Sequence, residues 1–434
     1  MRHQDEVRQL LTSLLGRSAA DEAEATYEAA RTLSTRFGEN AITQNSVGDD
    51  ETMTLNVIFG RRRGSASTNR LDDSAALDSL VARAEVAARQ APEDPELVAL
   101  PGPQVYGPRP PRFFAATADL EPAVIADDVA QVVGAARAKG FRASGLFQTS
   151  QSVSAIANSR GLWGWDAATE ADYSTTVHGP AGSGKAAQSQ SAHERLDMAQ
   201  LAQTAVDNAV RGQNPQPIEP GDHTVIFEPL AVHGILGFLA WALNAREADE
   251  GSSVFAGTLG QQLLHPLATL SLDIDDPELP APTMGQHGQA VEATRWIEGG
   301  AVKRLYHDRY WAQQKGMAPD AARMPLFMAG GTGTVDDLIA GCKRGLLVKN
   351  LWYIRNVDWK SLTLTGMTRD GVFLVEDGRI VRPVSNLRWN ESPISFLNNL
   401  VALSRPIRTG GWSNMKVPGA LSENFTFTSV TASV

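Results

Sequence analysis

The stretch GILGFLAWALNAREADEGSSVFAG, Gly234 to Gly257, opens with an apolar run that carries no charge and closes in a charged turn followed by Ser-Ser-Val-Phe-Ala-Gly. Its uninterrupted apolar and small-residue part, Gly234 to Leu243, falls well short of the roughly 20 residues that span a bilayer. Ile235, Leu236, Phe238, Leu239, Trp241 and Leu243 spread apolar bulk nearly all round a helix. That distribution is expected where a domain encloses the helix on every side.

Downstream of this helix the chain reads as strand-rich. GVFLVEDGRIVRPV, Gly371 to Val384, is two β-rich runs joined at Asp377-Gly378, a dipeptide that supplies the positive φ of a two-residue hairpin turn. In GGTGTVDDLIAGCKRG the glycines bring the chain to a helix start, with Thr334 as N-cap and Asp337 as its acidic partner. Upstream, the prolines and glycine of QNPQPIEPGDH mark a domain boundary near residue 215. The expectation is an α+β protein in two domains. An N-terminal domain of short strands and helices covers 1–215, and a strand-rich, barrel-like domain around the central helix covers 216–434.

Within the N-terminal domain, Val7, Leu10, Leu11, Leu14 and Leu15 recur at helical spacing, and the pattern to Arg31 predicts a first helix followed by a second. TMTLNVIFG reads as a strand, and LDDSAALDSLVARAEVAARQ as a helix capped by Asp72 or Asp73. Ala91 to Arg112 is too rich in proline to be regular and forms a surface connection. A helix ending at Gly140, a meander of short strands with a turn at Asn158-Ser159-Arg160-Gly161, and a helix over AQLAQTAVDNAVRG follow.

Composition limits function. The chain has 434 residues, a net charge of -10 and one basic cluster, Arg61 to Arg63, at a turn. That balance argues against nucleic-acid binding, which needs clustered Lys and Arg. The single cysteine, Cys342, excludes an intrachain disulfide and a Cys-rich zinc site. The N-terminus alternates charges of both signs and has no secretory apolar core, so a cytoplasmic location is expected.

Local motifs are weak. GPAGSGKA, Gly179 to Ala186, has phosphate-loop spacing, but Ala186 stands where a magnesium-binding hydroxyl is required and a polar segment follows, so a hairpin turn is the simpler reading. HERLD lacks a second histidine at i+4. No two of the eight histidines share the i, i+3 or i+4 spacing of helical metal ligands. Ligands gathered by folding remain open, with His223, His233, His265 and His287 as candidates.

A longer pattern resembles a known family. Trp352-Tyr353-Ile354-Arg355, Thr365-Gly366-Met367-Thr368-Arg369-Asp370-Gly371 and Gly378-Arg379-Ile380, together with SSVFAGTLGQQL, ANSRG and NVIFGRRRGSASTNRLDD, are similar to the TldD/PmbA, or DNA gyrase modulator, family. The resemblance implies a zinc metallopeptidase system. One subunit type carries H-E-x-x-x-H shortly before a Ser-Val-Phe-Ala-Gly-like segment, and a cysteine ligand in a late segment corresponding to RPIRTGGWSNMKVPGA. With Ser253-Val254-Phe255 in register, Leu236 and Trp241 stand at the two histidine positions and Gly237 at the general-base glutamate, and the late segment has no cysteine. None of these side chains ligates zinc or activates water.

The resemblance therefore implies the TldE/PmbA subunit type, a non-catalytic partner of a TldD-type zinc subunit in a heterodimeric peptidase acting on unfolded peptides. No cofactor is expected in this chain, and zinc is expected in the partner. Trp352, Tyr353, Arg355, Arg369 and Asn386 are candidates for holding an extended peptide as an added strand. In the competing reading Trp352 and Tyr353 belong to the core while Arg355 and Arg369 pair with Asp358 and Asp370. Two further readings stay open, a free-standing metallopeptidase with scattered ligands and a homodimeric peptide-binding protein.

Overall fold

The computed structural model describes residues 1–411 and 414–431. The chain begins with helix α1 (Gln4–Gly16), strands β1 (Glu22–Gly38), β2 (Ala41–Phe59) and β3 (Arg62–Thr68), and helix α2 (Ser74–Gln90). A single turn, α3 (Ala115–Ala118), precedes helix α4 (Pro122–Arg137), strands β4 (Arg142–Asn158), β5 (Trp163–His178) and β6 (Ser183–Gln190), and helix α5 (Met198–Arg211). The six strands form one antiparallel sheet in the order β3-β2-β1-β4-β5-β6.

Two sequence expectations are corrected here. The segment from Glu22 to Arg31 belongs to a strand and not to a second helix, because Ala23, Ala25, Tyr27 and Ala29 alternate inward with the period of two that a sheet requires. The meander after Gly140 consists of two long strands, 17 and 16 residues, rather than several short ones. Helix α2 is capped by Asp73, whose side chain accepts from the backbone N–H of Ala75 and Ala76.

All four long helices lie on one face of this sheet. Helices α1 and α2 close one apolar cluster over Tyr27, Leu55 and Val153, and α4 and α5 close a second over Phe37, Phe147 and Tyr173. The opposite face, alternating with these residues, carries Gln148, Asp172, Ser174 and Lys185, all half-buried. It faces the C-terminal part of the molecule.

There, strand β7 (Gly221–Phe227) runs parallel to Arg344–Asp358 and antiparallel to Ala420–Val430. Leu387–Glu391 and Thr363–Glu376 continue the sheet, and pairing of Thr363–Glu376 with Arg344–Asp358 closes a five-stranded barrel. Asp377 and Gly378, at φ 46° and 75°, make the expected tight turn to Arg379–Pro383. Helix α6 (Pro229–Ala242) shares one core with barrel residues Phe227, Leu346, Trp389 and Phe425 and with Leu270, Trp296 and Leu326 of a second six-stranded sheet. Among the described residues no helix is long and apolar enough to cross a membrane.

The close approach of β3 to α2 depends on Gly64. A Cβ there would collide with the α2 backbone at Ala84 and Ala88. Gly64→Ala is expected to lower stability by about 1–3 kcal/mol through overpacking, measured as a reduced urea midpoint with an unchanged m-value.

Candidate functional site

A cavity of about 600 Å³ lies between the N-terminal sheet and the barrel. Strand register builds its floor. Leu146, Ser174 and Ala187 lie in one cross-strand row, Gln148, Asp172 and Ser189 in the next on one side, and Thr176 with Lys185 in the next on the other. The roof is one face of α6, Leu230, His233, Gly234 and Phe238, together with Asn350 to Arg355, and Gly410 and Gly411 close one end. The helical spacing i, i+3, i+4 and i+8 explains why these four α6 residues meet the cavity together.

The rim is built by an irregular strand. The register between Arg344–Asp358 and Thr363–Glu376 shifts between Trp352 and Arg355, and Tyr353 adopts φ 54°. A bulge re-aims side chains, and here it leaves Trp352 and Tyr353 45% and 55% exposed. Lys185 Nζ and the Arg369 guanidinium lie 5.9 and 5.1 Å from the Trp352 ring centroid, and Arg355 lies 4.3 Å from that of Tyr353. Strand β7 pairs with Arg344–Asp358 only at Leu346 to Val348, so among the described residues no strand pairs with that second edge beyond Val348.

Burial shapes the titration of the site. His233 is 2% exposed, its Nδ1 lies 2.6 Å from Thr409 Oγ1, and burial pushes its pKa down to about 4. A Cβ at Gly411 would sit 2.8 Å from His233 Nε2. Burial, reinforced by Glu170, pushes Asp172 up to about 6, and burial lowers Lys185. Glu228, the N-cap of α6, is ion-paired with Lys349.

Several sequence candidates converge on this cavity. Trp352, Tyr353 and Arg355 line it, and Arg369 reaches Trp352 from the adjacent strand while lying 3.9 Å from Asp370. Trp352 and Tyr353 are not core residues, and Arg355 donates to the Ile354 carbonyl rather than pairing with Asp358. Asn386 lines a separate cavity of about 340 Å³ with Asp370 and the Gly179–Ser183 turn, and receives a hydrogen bond from Thr368 Oγ1 at 3.3 Å. The GPAGSGKA stretch is the β5–β6 hairpin turn.

Leu236, Gly237 and Trp241, which the family resemblance sets at the emptied motif positions, lie in different surroundings. Leu236 is fully buried in the core, Gly237 is buried beside it, and Trp241 is 57% exposed against Arg323. None of the three lines the cavity. The four scattered histidines also stay apart: His223 contacts the Glu219 carbonyl, His265 accepts from the Leu267 N–H, and His287 pairs with Glu24 at 3.0 Å.

Sequence reasoning offers His233 only as one of four scattered metal-ligand candidates and misses Asp172 and Lys185. Lys185 was visible only as part of a phosphate-loop spacing, and Asp172 only as one polar position in an alternating strand. A zinc ion does not fit the residues present. Next to His233 stands Gly411, the nearest carboxylate on the helix start is taken by Lys349, and among the described residues no three His, Cys, Asp or Glu side chains gather. Trp412 and Ser413 of the late segment lie outside the described residues.

An antiparallel sheet packed through a polar face onto a five-stranded barrel with an embedded helix is a mixed α+β architecture. The family model described as PmbA/TldA metallopeptidase C-terminal domain matches residues 220–429, and PmbA/TldA metallopeptidase domain 1 matches 23–88. The chain belongs to the PmbA/TldD family. It is similar in fold to TldE from Thermococcus kodakarensis, with TM-score 0.89 and 19% identity over 97% of this chain and 99% of that one. A candidate modulator of DNA gyrase from Bacteroides thetaiotaomicron superposes with TM-score 0.85 at 21% identity, covering 98% and 100% of the two chains. Another from Thermotoga maritima gives 0.87 at 15%, again over 98% and 100%. No curated protein sequence matches the chain.

The two shifted cavity residues affect stability with opposite signs. Burial holds His233 down at about 4 in the folded chain against the ordinary 6.5 of a histidine, so the unfolded chain binds more protons between those values. Stability is full above pH 6.5 and falls towards pH 4, by at most about 3 kcal/mol from this group. His233→Gln is expected to flatten that limb in urea titrations at stepped pH. Asp172, raised from 3.8 to about 6, binds its proton more readily when folded, so stability falls as pH rises through that window. Asp172→Asn is expected to raise Tm at pH 7.5 and to have no effect near pH 3.5.

Proposed function

We propose that this chain is the non-catalytic subunit of a TldD/TldE-type heterodimeric zinc peptidase, holding extended peptide in the cavity beneath α6. The observation that carries this reading is the cavity-facing side of α6, where the late segment meets the helix. His233 beside Gly411 is the one imidazole at that junction. If His233 occupies the second histidine position of an H-E-x-x-x-H helix, Glu228 and Pro229 occupy the first two positions, eight residues before Leu236 and Gly237 (236 − 228). In that register a glycine stands beside the imidazole in the late segment that holds the peptidase type's cysteine.

The chemistry left to these residues is binding. Leu230, Phe238, Trp352 and Tyr353 offer apolar and aromatic surface to alternate side chains of an extended chain, and the open strand edge beyond Val348 offers unpaired backbone groups. Backbone pairing of this kind accepts many sequences, as a peptidase for unfolded peptides requires. The exposed Val357 and Trp359 at the tip of the same hairpin form a surface suited to a partner subunit.

Co-expression with a TldD-type subunit from the same genome tests the reading. The expected outcome is co-purification as a stoichiometric pair, with zinc and peptide cleavage present in the pair and absent from this chain alone. Stoichiometric zinc with cleavage by the isolated chain would overturn it in favour of a free-standing peptidase. A homodimer that binds peptide and ignores the partner would replace it with a peptide-binding protein.

A further inference from the structure

We propose that the cavity gauges short extended peptides by their two free ends, Asp172 receiving the N-terminal ammonium and Lys185 the C-terminal carboxylate. The inference deepens the peptide-holding reading above and rests on it.

The argument begins with register. Asp172 lies opposite Ser189, and Lys185 lies opposite Thr176 on the neighbouring strand of the same sheet. Both side chains face the cavity. Four residues along an antiparallel strand separate Asp172 from Thr176, or about 14 Å at about 3.4 Å per residue. An extended peptide advances at most about 3.3–3.6 Å per residue, so the interval between the two backbone rows accommodates about four residues.

The charges around the cavity are otherwise committed. Glu170 is engaged by Arg408 and Ser189. Asp370 accepts from Ser183 Oγ at 2.7 Å and lies beside Arg369. Arg369 and Arg355 lie over the Trp352 and Tyr353 rings at 5.1 and 4.3 Å, closer than Lys185 at 5.9 Å from the Trp352 ring, and Glu228 pairs with Lys349. Among the described residues no cation forms an ion pair with Asp172, and no carboxylate forms one with Lys185.

Two opposite charges therefore stand at opposite ends of one cavity, each desolvated by burial. A ligand that brings the complementary charge to each restores what burial removed. Between them the floor is Ser174 and Ala187, small enough to let a peptide backbone lie close. Gly410 packs on Gln188, next to the Ser189 partner of Asp172, so the ammonium end lies towards His233 and Gly411 and the carboxylate end towards Trp352. An internal segment of a long chain carries no end charge for either group and gains only its backbone and side-chain contacts.

Calorimetric titration of the full chain tests this with the tetrapeptide Ala-Ser-Ala-Ser, its N-acetyl and C-amide forms, and a longer repeat of the same sequence. The free tetrapeptide is expected to bind, and each cap to weaken it by about tenfold or more, the effect of one lost charge-assisted contact. Lys185→Met should abolish the penalty for the amide and keep that for the acetyl group, and Asp172→Asn should do the reverse. Capped forms that bind the wild-type chain as tightly as the free peptide would overturn the proposal, whether or not the variants fold. The longer repeat binding where the tetrapeptide does not would overturn the gauge and leave the peptide-holding reading standing, whereas failure of every peptide would overturn both.

Discussion

The enclosure of helix α6 is the constraint on which the rest of this structure depends. A helix with Ala231, Val232, Ile235, Leu236, Leu239 and Ala240 buried can exist in water only if other elements surround it. The barrel supplies one wall through Phe227, Leu346 and Phe425, and the second small sheet supplies another through Leu270 and Trp296. The side of α6 left over, Leu230, His233, Gly234 and Phe238, meets Leu351 and Ile354 at Gly234 and becomes the roof of the cavity. The cavity is thus the place where enclosure of the helix is incomplete.

The N-terminal sheet completes that arrangement from below. Its helices cover one face with two apolar clusters, so the other face is free to carry polar side chains. Alternation along β5 and β6 then places Asp172, Ser174 and Lys185 on the cavity side. The bulge at Trp352 to Arg355 brings aromatic rings over the same space, with the cations Lys185, Arg369 and Arg355 stacked against them. Ring faces attract these cations electrostatically and hold the rim together although both aromatics are exposed.

Much of the fold was legible in local chemistry. Asp377-Gly378 announced its hairpin, Thr334 with Asp337 its capping box, and the uniformly apolar run after Gly234 its buried helix. Strand β1 was misread because alanine and charged residues alternate there without the β-branched residues that usually mark a strand, and alanine favours helix in isolation. The site was legible in part. Trp352, Tyr353 and Arg355 stand out in the sequence through family likeness and line the cavity, and Leu236, Gly237 and Trp241, the emptied motif positions, lie away from it.

By itself the sequence determined the local elements, the apolar character of α6 and the membership of the PmbA/TldD family, because turn residues, caps and hydrophobic periodicity act over a few residues. Only the tertiary structure decided which face of α6 meets the late segment, and hence that His233 stands beside Gly411. It alone placed Asp172 and Lys185 at opposite ends of one cavity, since that depends on strand register and on the packing of sheet against barrel. Register and packing are set by contacts between residues far apart in the chain, and no local pattern encodes which distant surfaces meet.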